Sequence, residues 1–388
     1  MSRDLILVAI SMFTWGLGEG MFLYFQPLYL QQLGADPIRI GSILSAFGLA
    51  MTVSHVPAGY LADRLGRKPV LVAAWALGLL STWIMALAGS MSTFVAGLML
   101  YGTTMFVLSP LNSYVTAARG RLTVGRTITL ISASFNLGAV IGPWLGGQVG
   151  DLLGLRQNYI FAGFIFIIST VVILFIRSQP VERAAPEEKV NGWLLSPRYL
   201  IYLGAFFLAV FAMVLPQTLS PNFLANERGL DLSQVGLLYS IASIGVVVLN
   251  LSLGSLPARR GFIIGQAAVG LFTLSLWLGR GLSWYMLSFF LLGGFKTARS
   301  LGIAQVRALV PAAKMGLAFG VTETAGATAV ILAPLLAGYL YTLDPVYMYM
   351  LAAGLIGVSL AVSARVSPHP EKVPPLIKSH PLSDPELE

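Results

Sequence analysis

Residues 59 to 68 read Gly-Tyr-Leu-Ala-Asp-Arg-Leu-Gly-Arg-Lys, and they separate two long apolar runs at residues 38–61 and 69–88. The stretch contains four charged residues and two glycines, whereas the two runs contain a single charged residue, Arg39. A helix needs about 20 predominantly apolar residues to cross a bilayer, and both runs are long enough. The stretch 59–68 is therefore predicted to be a tight loop at the membrane surface between two transmembrane helices.

The rest of the chain repeats this alternation of apolar runs and short polar turns. Of its 388 residues, 56% are hydrophobic and 10% are charged, whereas soluble domains carry about 25% charged residues. Only helices and closed barrels satisfy the backbone hydrogen bonds in lipid, and these runs lack the alternating pattern of barrel strands. The sequence thus predicts an all-α integral membrane protein with twelve transmembrane spans. Spans 1 to 12 are expected at residues 5–31, 38–61, 69–89, 91–117, 124–149, 157–177, 198–224, 232–256, 261–280, 282–309, 315–341 and 345–365.

The basic residues indicate which side of the membrane each loop faces. Cytoplasmic loops are enriched in Lys and Arg, and with the N-terminus inside, 18 of the 24 basic residues lie in cytoplasmic segments. This distribution predicts a multi-pass plasma-membrane protein with both termini in the cytoplasm. It also explains the net charge of +8 without nucleic-acid binding. The first apolar run lacks a small-residue cleavage site and is predicted to be span 1, not a signal peptide.

The chain is predicted to contain two copies of a six-span unit. Gly34-Ala-Asp36 and Gly41 recur as Gly229-Leu-Asp231 and Gly236, with an offset of 195 residues. The predicted boundaries are 1–177 for the first bundle, 178–197 for a cytoplasmic linker, 198–365 for the second bundle and 366–388 for a disordered cytoplasmic tail.

The stretch 59–68 resembles the signature loop between helices 2 and 3 of the major facilitator superfamily, Gly-x-Leu-Ala-Asp-Arg-x-Gly-Arg-Lys, at every specified position. The resemblance implies two pseudo-symmetric six-helix bundles, a substrate path surrounded by spans 1, 4, 7 and 10, and transport by alternating access. Asp63 is expected at the C-terminal end of span 2, where the helix dipole disfavours a negative charge, so it needs a cation or a helix N-terminus as partner. The loop residues with a predicted gating role are Gly59, Asp63, Arg64, Gly66, Arg67 and Lys68.

Span 5 carries glycines at a spacing of four residues and a Gly-Pro pair. Small residues at this spacing let another helix approach closely, and a proline removes a backbone hydrogen bond and bends the helix. The string resembles the helix 5 signature of the superfamily, which is associated with antiporters. The resemblance implies a close, bendable interface between the bundles and favours export by exchange. The residues concerned are Gly138, Gly142, Pro143, Gly146 and Gly147.

Four ionisable residues are predicted within spans. Glu19 lies in span 1, Lys296 and Arg299 lie in span 10, and Glu323 lies in span 11. An unpaired charge there costs roughly 2.5 to 3.5 kcal/mol on insertion scales, so these side chains must pair or face water. Arg299 and Glu323 are expected at similar depth, which permits an ion pair between them.

Glu19 is the leading candidate for a coupling site. Trp15, Glu19, Phe22 and Gln26 follow one another at spacings of four, three and four residues, which places them on one helix face. That face is predicted to line the substrate cavity. A carboxyl group on helix 1 resembles the proton-binding acid of several multidrug exporters of the superfamily, and burial favours its neutral form. The alternative is that Lys296 neutralises Glu19, which then has only a structural role.

Spans 4 and 7 are also predicted to contribute to the cavity wall. Antiporters of the superfamily often carry Arg four residues before a glycine of helix 4, but here Leu98 precedes Gly102, which weakens the case for the usual proton relay. The predicted wall is mostly apolar with scattered amides. Its residues are Tyr101, Met105 and Asn112 in span 4 and Met213 and Gln217 in span 7.

The sequence argues against metal-dependent and enzymatic functions. The chain has no Cys, and its one His within a span, His55, is expected to be a packing residue. Neither a metal site nor a nucleophilic triad can be assembled from the usual residues. Lys296 follows Gly294 and Phe295 without the pattern of a phosphate-binding loop, so ATP-driven transport is not supported. No cofactor is expected, and the predicted coupling ion is H⁺.

Three functions remain open on these grounds. The first is a monomeric, proton-coupled exporter of small amphipathic or drug-like compounds, in which Glu19 carries the proton. The second is transport of an organic anion held by Lys296 and Arg299. The third is a membrane sensor that keeps the fold without transporting a substrate.

Overall fold

A computed structural model describes residues 2–179, 196–310 and 315–368, without the side chains of residues 55–65 and 109. The described residues form α-helices and short 3-10 turns, with no β-strand among them. Eleven helices in this part of the chain are long and apolar enough to cross a membrane. The remaining predicted span, span 10, is present as two shorter helices. The prediction of an all-α membrane protein is therefore confirmed.

The helices follow the predicted apolar runs closely. In the first half they are Arg3–Phe22 and Gln26–Gln32 (span 1), Pro37–Leu65 (span 2), Arg67–Leu87 (span 3), Met91–Thr103 and Leu108–Ala117 (span 4), Val124–Leu153 (span 5) and Leu155–Leu174 (span 6). In the second half they are Pro197–Val214 and Ser220–Asn226 (span 7), Leu232–Gly254 (span 8), Ala258–Leu278 (span 9), Leu282–Leu292 and Gly294–Ala304 (span 10), Met315–Leu343 (span 11) and Pro345–Val366 (span 12). Most of the predicted linker and tail lies outside the described residues, so the domain boundaries stay a prediction.

Spans 1, 4 and 7 are each interrupted by a short 3-10 turn. A proline ring clashes with the carbonyl group four residues earlier and offers no backbone donor, and such a defect often gives a tighter local turn. Each turn here includes the residue four positions before a proline, which explains where the helix breaks. The turns are Leu23–Phe25 before Pro27, Thr104–Val107 before Pro110, and Leu215–Gln217 before Pro221.

Span 10 is interrupted by a glycine pair. Gly293 separates the two helices, and a Cβ atom at this position would collide with the backbone of Gly245 in span 8. The missing side chains allow the two spans to cross closely at this point. All four interrupted spans, 1, 4, 7 and 10, are those that the superfamily resemblance places around the substrate path.

The predicted loop between spans 2 and 3 is shorter than expected. The backbone of span 2 is helical through Leu65 and span 3 begins at Arg67, so Gly66 alone separates them. Gly66 has a φ of 84°, a left-handed conformation that favours glycine. Asp63 thus belongs to the last turn of span 2, as predicted, but its side chain lies outside the described residues, as does Lys314.

The two bundles meet in their outer halves, where outer denotes the side opposite the N-terminus and inner the N-terminal side. Gly41 of span 2 lies against the Pro334 carbonyl of span 11, and Gly236 of span 8 lies against the Pro143 carbonyl of span 5. Gly41 and Gly236 are related by the 195-residue repeat. A Cβ atom at Gly125, in the inner part of span 5, would by contrast meet nothing within 4 Å. The described close approaches thus hold the outer side closed.

Hydrogen bonds reinforce this outer contact. The Asp151 carboxylate at the end of span 5 accepts hydrogen bonds from the backbone N–H groups of Leu232 (2.9 Å) and Ser233 (2.7 Å) at the start of span 8. The Ser233 hydroxyl also donates to Asp151. At the outer ends of spans 1 and 7, the Asn226 amide donates to the Gln31 side-chain oxygen at 3.1 Å.

The glycine stripe of span 5 forms the predicted contact between the bundles only in part. Three of its glycines face span 1 of the same bundle and not the other bundle, because a Cβ atom on any of them would collide with the span 1 backbone. Gly147 is the glycine of this string that meets span 8, where its Cβ atom would lie 2.5 Å from the Leu232 carbonyl oxygen. The collisions with span 1 are Gly138 with Phe13, Gly142 with Leu17, and Gly146 with Met21.

Candidate functional site

A cavity of about 260 Å³ lies between the two bundles. We call it the central cavity. It is bounded by spans 1 and 5 of the first bundle and by spans 7, 8 and 10 of the second. Its lining residues are Gly16, Glu19, Gly20, Leu23, Tyr24, Phe135, Asn136, Ala139, Gln217, Tyr239, Ala242, Ser243, Val246, Leu292, Gly293, Phe295 and Lys296.

Glu19 is the acidic residue of this lining. Its side chain is 8% exposed and lies just inward of the interruption in span 1. Tyr101 and Trp15 approach its carboxyl group from the interior of the first bundle. The Tyr101 hydroxyl is buried and has no hydrogen-bond partner among the described residues. Glu19 thus connects a closed aromatic core on one side with the central cavity on the other.

Lys296 is the basic residue of the lining, and it comes from the opposite bundle. It is the third residue of the helix Gly294–Ala304, which begins after the interruption of span 10. Gly293, between this helix and the preceding one, keeps a helical conformation with φ −52° and ψ −24°. The positive charge on this wall of the cavity therefore comes from the Lys296 ammonium group itself.

Glu19 and Lys296 interact electrostatically across the interface between the bundles. No ion pair within 4.0 Å joins these two described side chains. The alternative in which Lys296 neutralises Glu19 by direct contact is therefore not present between these two side chains in this conformation, and the coupling role of Glu19 stays a prediction. The central cavity therefore carries one charge of each sign on facing walls.

The predicted ion pair between Arg299 and Glu323 is confirmed. The Arg299 guanidinium donates to the Glu323 carboxylate at 2.7 Å, and the two side chains are 33% and 51% exposed. Neither residue lines the central cavity. In the alternative function, Lys296 and Arg299 were predicted to bind one organic anion together. Of these two residues, only Lys296 lines the described cavity.

Stacked tyrosines close the outer end of the central cavity. The rings of Tyr24 in span 1 and Tyr239 in span 8 are parallel, with centroids 4.2 Å apart and an interplanar angle of 15°. The Tyr239 hydroxyl lies 3.0 Å from the Ser220 hydroxyl of span 7, and Phe289 packs edge-on against its ring. The stack joins the bundles, so it must separate before the cavity can open outward.

The predicted span 1 face does not line the cavity as a whole. Trp15 stacks on Phe166 with a centroid distance of 4.1 Å, and Phe22 is fully buried against Tyr101. Gln26 is also buried, and its amide nitrogen has no partner among the described residues. Trp15 and Phe22 thus turn toward Trp75, Tyr101 and Phe166 of spans 3, 4 and 6 and away from the cavity. Only Glu19 of this set reaches the cavity.

Of the cavity residues predicted on spans 4 and 7, some line the central cavity and others lie elsewhere. Gln217 lines the central cavity and donates a hydrogen bond to the Met213 carbonyl at 2.6 Å, whereas the Met213 side chain is buried. Met105 lies in the 3-10 turn of span 4 and is half-buried. Asn112 lines a second cavity of about 530 Å³ on the inner side of the first bundle, together with Arg67.

Several lining residues were not predicted, among them Tyr24, Tyr239, Asn136 and Ser243. They lie mainly on spans 5 and 8, which the sequence indicated only as tightly packing helices. One signal was available for Tyr24, since it lies three residues before Pro27 and therefore in the proline-induced interruption. Within the described residues, no group of three or more His, Cys, Asp or Glu side chains is arranged to hold a metal ion.

The gating residues of the stretch 59–68 are described only in part. The side chains of Asp63 and Arg64 lie outside the described residues, and Gly59 is described only by its helical backbone. Lys68 is half-buried in the first turn of span 3. Their roles in gating stay a prediction.

Comparison with known proteins agrees with this architecture. The family model described as Major Facilitator Superfamily matches residues 8–261 and 201–384. An uncharacterized MFS-type transporter from Methanocaldococcus jannaschii is 25% identical over 71% of this chain and 73% of its own length. Multidrug resistance protein 2 from Bacillus subtilis is 23% identical over 66% of this chain and 67% of its own. A crystal structure of a mutant of the nucleoside transporter NupG has a TM-score of 0.82 at 16% identity, covering 94% of this chain and 100% of that one. The chain therefore belongs to the major facilitator superfamily of membrane transporters.

Proposed function

We propose that the protein is a proton-coupled exporter of small amphipathic compounds that works by alternating access. The observation that supports this proposal is the placement of Glu19, which is buried yet lines a cavity between the two bundles. A carboxyl group in this position can exchange a proton with the cavity and can also hold a cationic group. In this proposal the protein acts as a monomer in the plasma membrane, and both of its termini lie in the cytoplasm. Its partner is the small-molecule substrate.

The coupling follows from the cost of an unpaired charge. When the cavity is empty, an ionised Glu19 is largely buried and has no ion-pair partner within 4.0 Å among the described residues, so protonation removes an unfavourable charge. When a substrate supplies a positive group, the proton leaves and the substrate takes its place. The outer contacts described above must separate between these two events, which makes the exchange of substrate for proton obligatory.

Export of drug-like compounds is also supported by relatives. The name of the Bacillus subtilis relative is that of a multidrug resistance protein, and the mixed aromatic and amide lining of the central cavity suits amphipathic compounds. The NupG structure supports the fold alone.

The test is transport in proteoliposomes with an imposed pH gradient. The Glu19→Gln variant mimics a permanently protonated carboxyl group, so we expect it to lose gradient-driven accumulation while downhill exchange survives. The Glu323→Gln variant is the matched control, because its carboxyl group pairs with Arg299 outside the central cavity. Full proton-driven transport by Glu19→Gln would reject the carrier role and move the assignment to Glu323.

The same assay addresses the structural alternative. If Glu19 only neutralises Lys296, removing both charges together should restore function, because no unpaired charge then remains. Under the carrier role, the Glu19→Gln/Lys296→Gln variant stays uncoupled. A purified protein that binds ligands but shows no flux in either direction would instead favour the sensor.

A further inference from the structure

We propose that the central cavity binds a small zwitterion, a compound with an ammonium group, a carboxylate group and a flat apolar body. In this arrangement the ammonium group contacts Glu19 and the carboxylate contacts Lys296. The proposal rests on the proposed function in one respect, since it takes the central cavity as the transport site.

The charges of the cavity carry the argument. Glu19 and Lys296 lie on opposite bundles, line the same cavity and form no ion pair within 4.0 Å of each other. A purely anionic ligand would pair with Lys296 but would be repelled by an ionised Glu19, so it could bind only together with the proton and not in exchange for it. A purely cationic ligand would pair with Glu19 but would leave the Lys296 ammonium group without a partner. A zwitterion satisfies both groups, and leaving a charge unpaired in a low-dielectric site is the costlier arrangement.

The remaining ionisable groups near the site do not disturb this balance. Arg299 lies one helical turn beyond Lys296, but its guanidinium is bonded to Glu323. The lining therefore has one positive and one negative side chain. Their sum is zero, which matches a ligand without net charge but with separated charges.

The orientation of the ligand follows from the positions of the two charges. Lys296 is on span 10, so the carboxylate is expected at this wall of the cavity. The opposite wall carries Glu19 and, behind it, the unpartnered Tyr101 hydroxyl. The ammonium group is expected on this side.

The size and the walls define the body of the ligand. A volume of about 260 Å³ is below the roughly 300 to 1,000 Å³ of sites for drug-sized ligands, so the compound that this conformation binds is at the small end of the amphipathic compounds proposed above. Phe135 and Phe295 line the cavity, and the Tyr24–Tyr239 stack closes it. Aromatic faces favour flat rings. An aromatic amino acid has the required charges, size and shape.

A zwitterion also explains how a single carboxyl group can serve in exchange. The ammonium group and the coupling proton compete for Glu19, so substrate and proton do not occupy the site together. Lys296 holds the carboxylate in the loaded state and is left facing the protonated, neutral Glu19 after release.

Equilibrium binding to the purified protein tests the proposal without any gradient. The probes are tryptophan, phenylalanine and leucine as zwitterions, tryptamine as the cation and indole-3-propionate as the anion. The last two keep the indole ring and add no bulk, so weaker binding cannot arise from a steric clash. We expect tryptophan to bind at least about tenfold more tightly than tryptamine or indole-3-propionate, a difference of about 1.4 kcal/mol.

The variants make the result specific to the two charges. Lys296→Gln should remove the preference of tryptophan over tryptamine, and Glu19→Gln should remove its preference over indole-3-propionate. Glu323→Gln should keep both preferences. Three outcomes would overturn the proposal: the wild-type protein binds tryptamine and indole-3-propionate as tightly as tryptophan, both variants keep the wild-type preferences, or none of the three amino acids binds. Because no proton gradient is used, loss of proton coupling in the transport assay would leave this result unaffected.

Discussion

The Tyr101 hydroxyl is fully buried against the Glu19 carboxyl group and lacks a hydrogen-bond partner among the described residues. An unsatisfied buried polar group costs about 1 to 3 kcal/mol. This cost is offset if the hydroxyl group forms a hydrogen bond in another protonation state of the site. We infer that it donates to Glu19 when the carboxyl group is ionised. It is thus a positioning residue for Glu19.

Tyr101→Phe tests this role because it removes the hydroxyl group and keeps the ring. The thermal unfolding temperature of the variant should equal or exceed that of the wild-type protein, since an unsatisfied group disappears. Proton-driven transport should slow, and the pH dependence of transport should change. Lower stability with an unchanged pH profile would show that the hydroxyl group is only structural.

Gly142 illustrates a steric requirement at a single position. A Cβ atom there would lie 2.8 Å from the Gly20 Cα atom and would collide with the Leu17 carbonyl. Gly142→Leu should therefore separate spans 1 and 5, lower the thermal stability of the purified protein and abolish transport. Gly125→Leu, on the same span, should be tolerated because this position faces open space. Normal stability and transport in Gly142→Leu would contradict the described packing.

At the scale of the element, span 8 begins with two carboxylate caps. Its own Asp231 accepts a hydrogen bond from the Gln234 N–H group at 2.7 Å, and Asp151 of span 5 binds the preceding N–H groups across the bundle interface. Negative groups at a helix N-terminus are stabilising. The cap from Asp151 exists only while the outer side is closed, so it stabilises that conformation.

Asp151→Ala should therefore shift the protein toward an outward-open conformation. Spin labels on Leu152→Cys and Glu227→Cys, at the outer ends of the two bundles, should show a longer distance or a larger long-distance population. Asp36→Ala is the control, because Asp36 caps the Arg39 N–H group of its own span at 2.8 Å. An unchanged distance distribution in the Asp151 variant would show that the cap contributes nothing to closure.

Element boundaries were largely predictable, and the reasons are local. Apolar length set the spans. The prolines of spans 1, 4 and 7 explain the interruptions that the structure shows, although these interruptions were not predicted. The single-residue junction at Gly66 was not predicted. Four charged residues between two apolar runs are typical of a loop, but a helix that extends beyond the membrane surface also tolerates them. The direction of the span 5 glycines was not predictable either, since a glycine stripe shows that something packs closely but not which helix it is.

The candidate site was less predictable than the fold. Glu19 and Lys296 were identified because a charge within an apolar span is costly unless it is paired or faces water. Trp15, Phe22 and Tyr101 were placed on the cavity wall, but they fill the first bundle. The choice between core and cavity depends on the rotation of each helix, which a pattern of mixed aromatic residues does not fix. Spans 5 and 8 joined the lining because the bundles meet there, a property of tertiary packing.

For the molecule as a whole, the balance between inward and outward conformations is predicted to depend on Asp63. The resemblance implies that Asp63 faces the start of span 11 near Lys314 and Met315 when the inner side is closed. Asp63→Asn removes a favourable charge at a helix N-terminus and should increase the inward-open population. Spin labels on Arg121→Cys and Arg260→Cys, on the inner side of each bundle, measure this. Unchanged inner distances would contradict the prediction.

The orientation of the whole molecule can be tested without background, because the chain contains no Cys. A Cys in place of Gly89, in the turn between spans 3 and 4, should react with a membrane-impermeant maleimide on intact cells. A Cys in place of Arg121, between spans 4 and 5, should react only after permeabilisation. The opposite pattern would place both termini outside and reverse the proposed direction of transport.

The paired contacts of Gly41 with Pro334 and of Gly236 with Pro143 have a consequence for the kinetics of opening. They are copies of one arrangement, placed on the two sides of the pseudo-twofold axis, and each bundle is packed as one body. If one contact separated while the other stayed closed, one bundle would tilt relative to the other. At the closed contact a glycine meets backbone, so no glycine side chain could change its rotamer to relieve the resulting clash. Half-open molecules are therefore expected to be rare. Opening of the outer side should follow a single exponential, with no delay between the separation of spans 2 and 11 and that of spans 5 and 8.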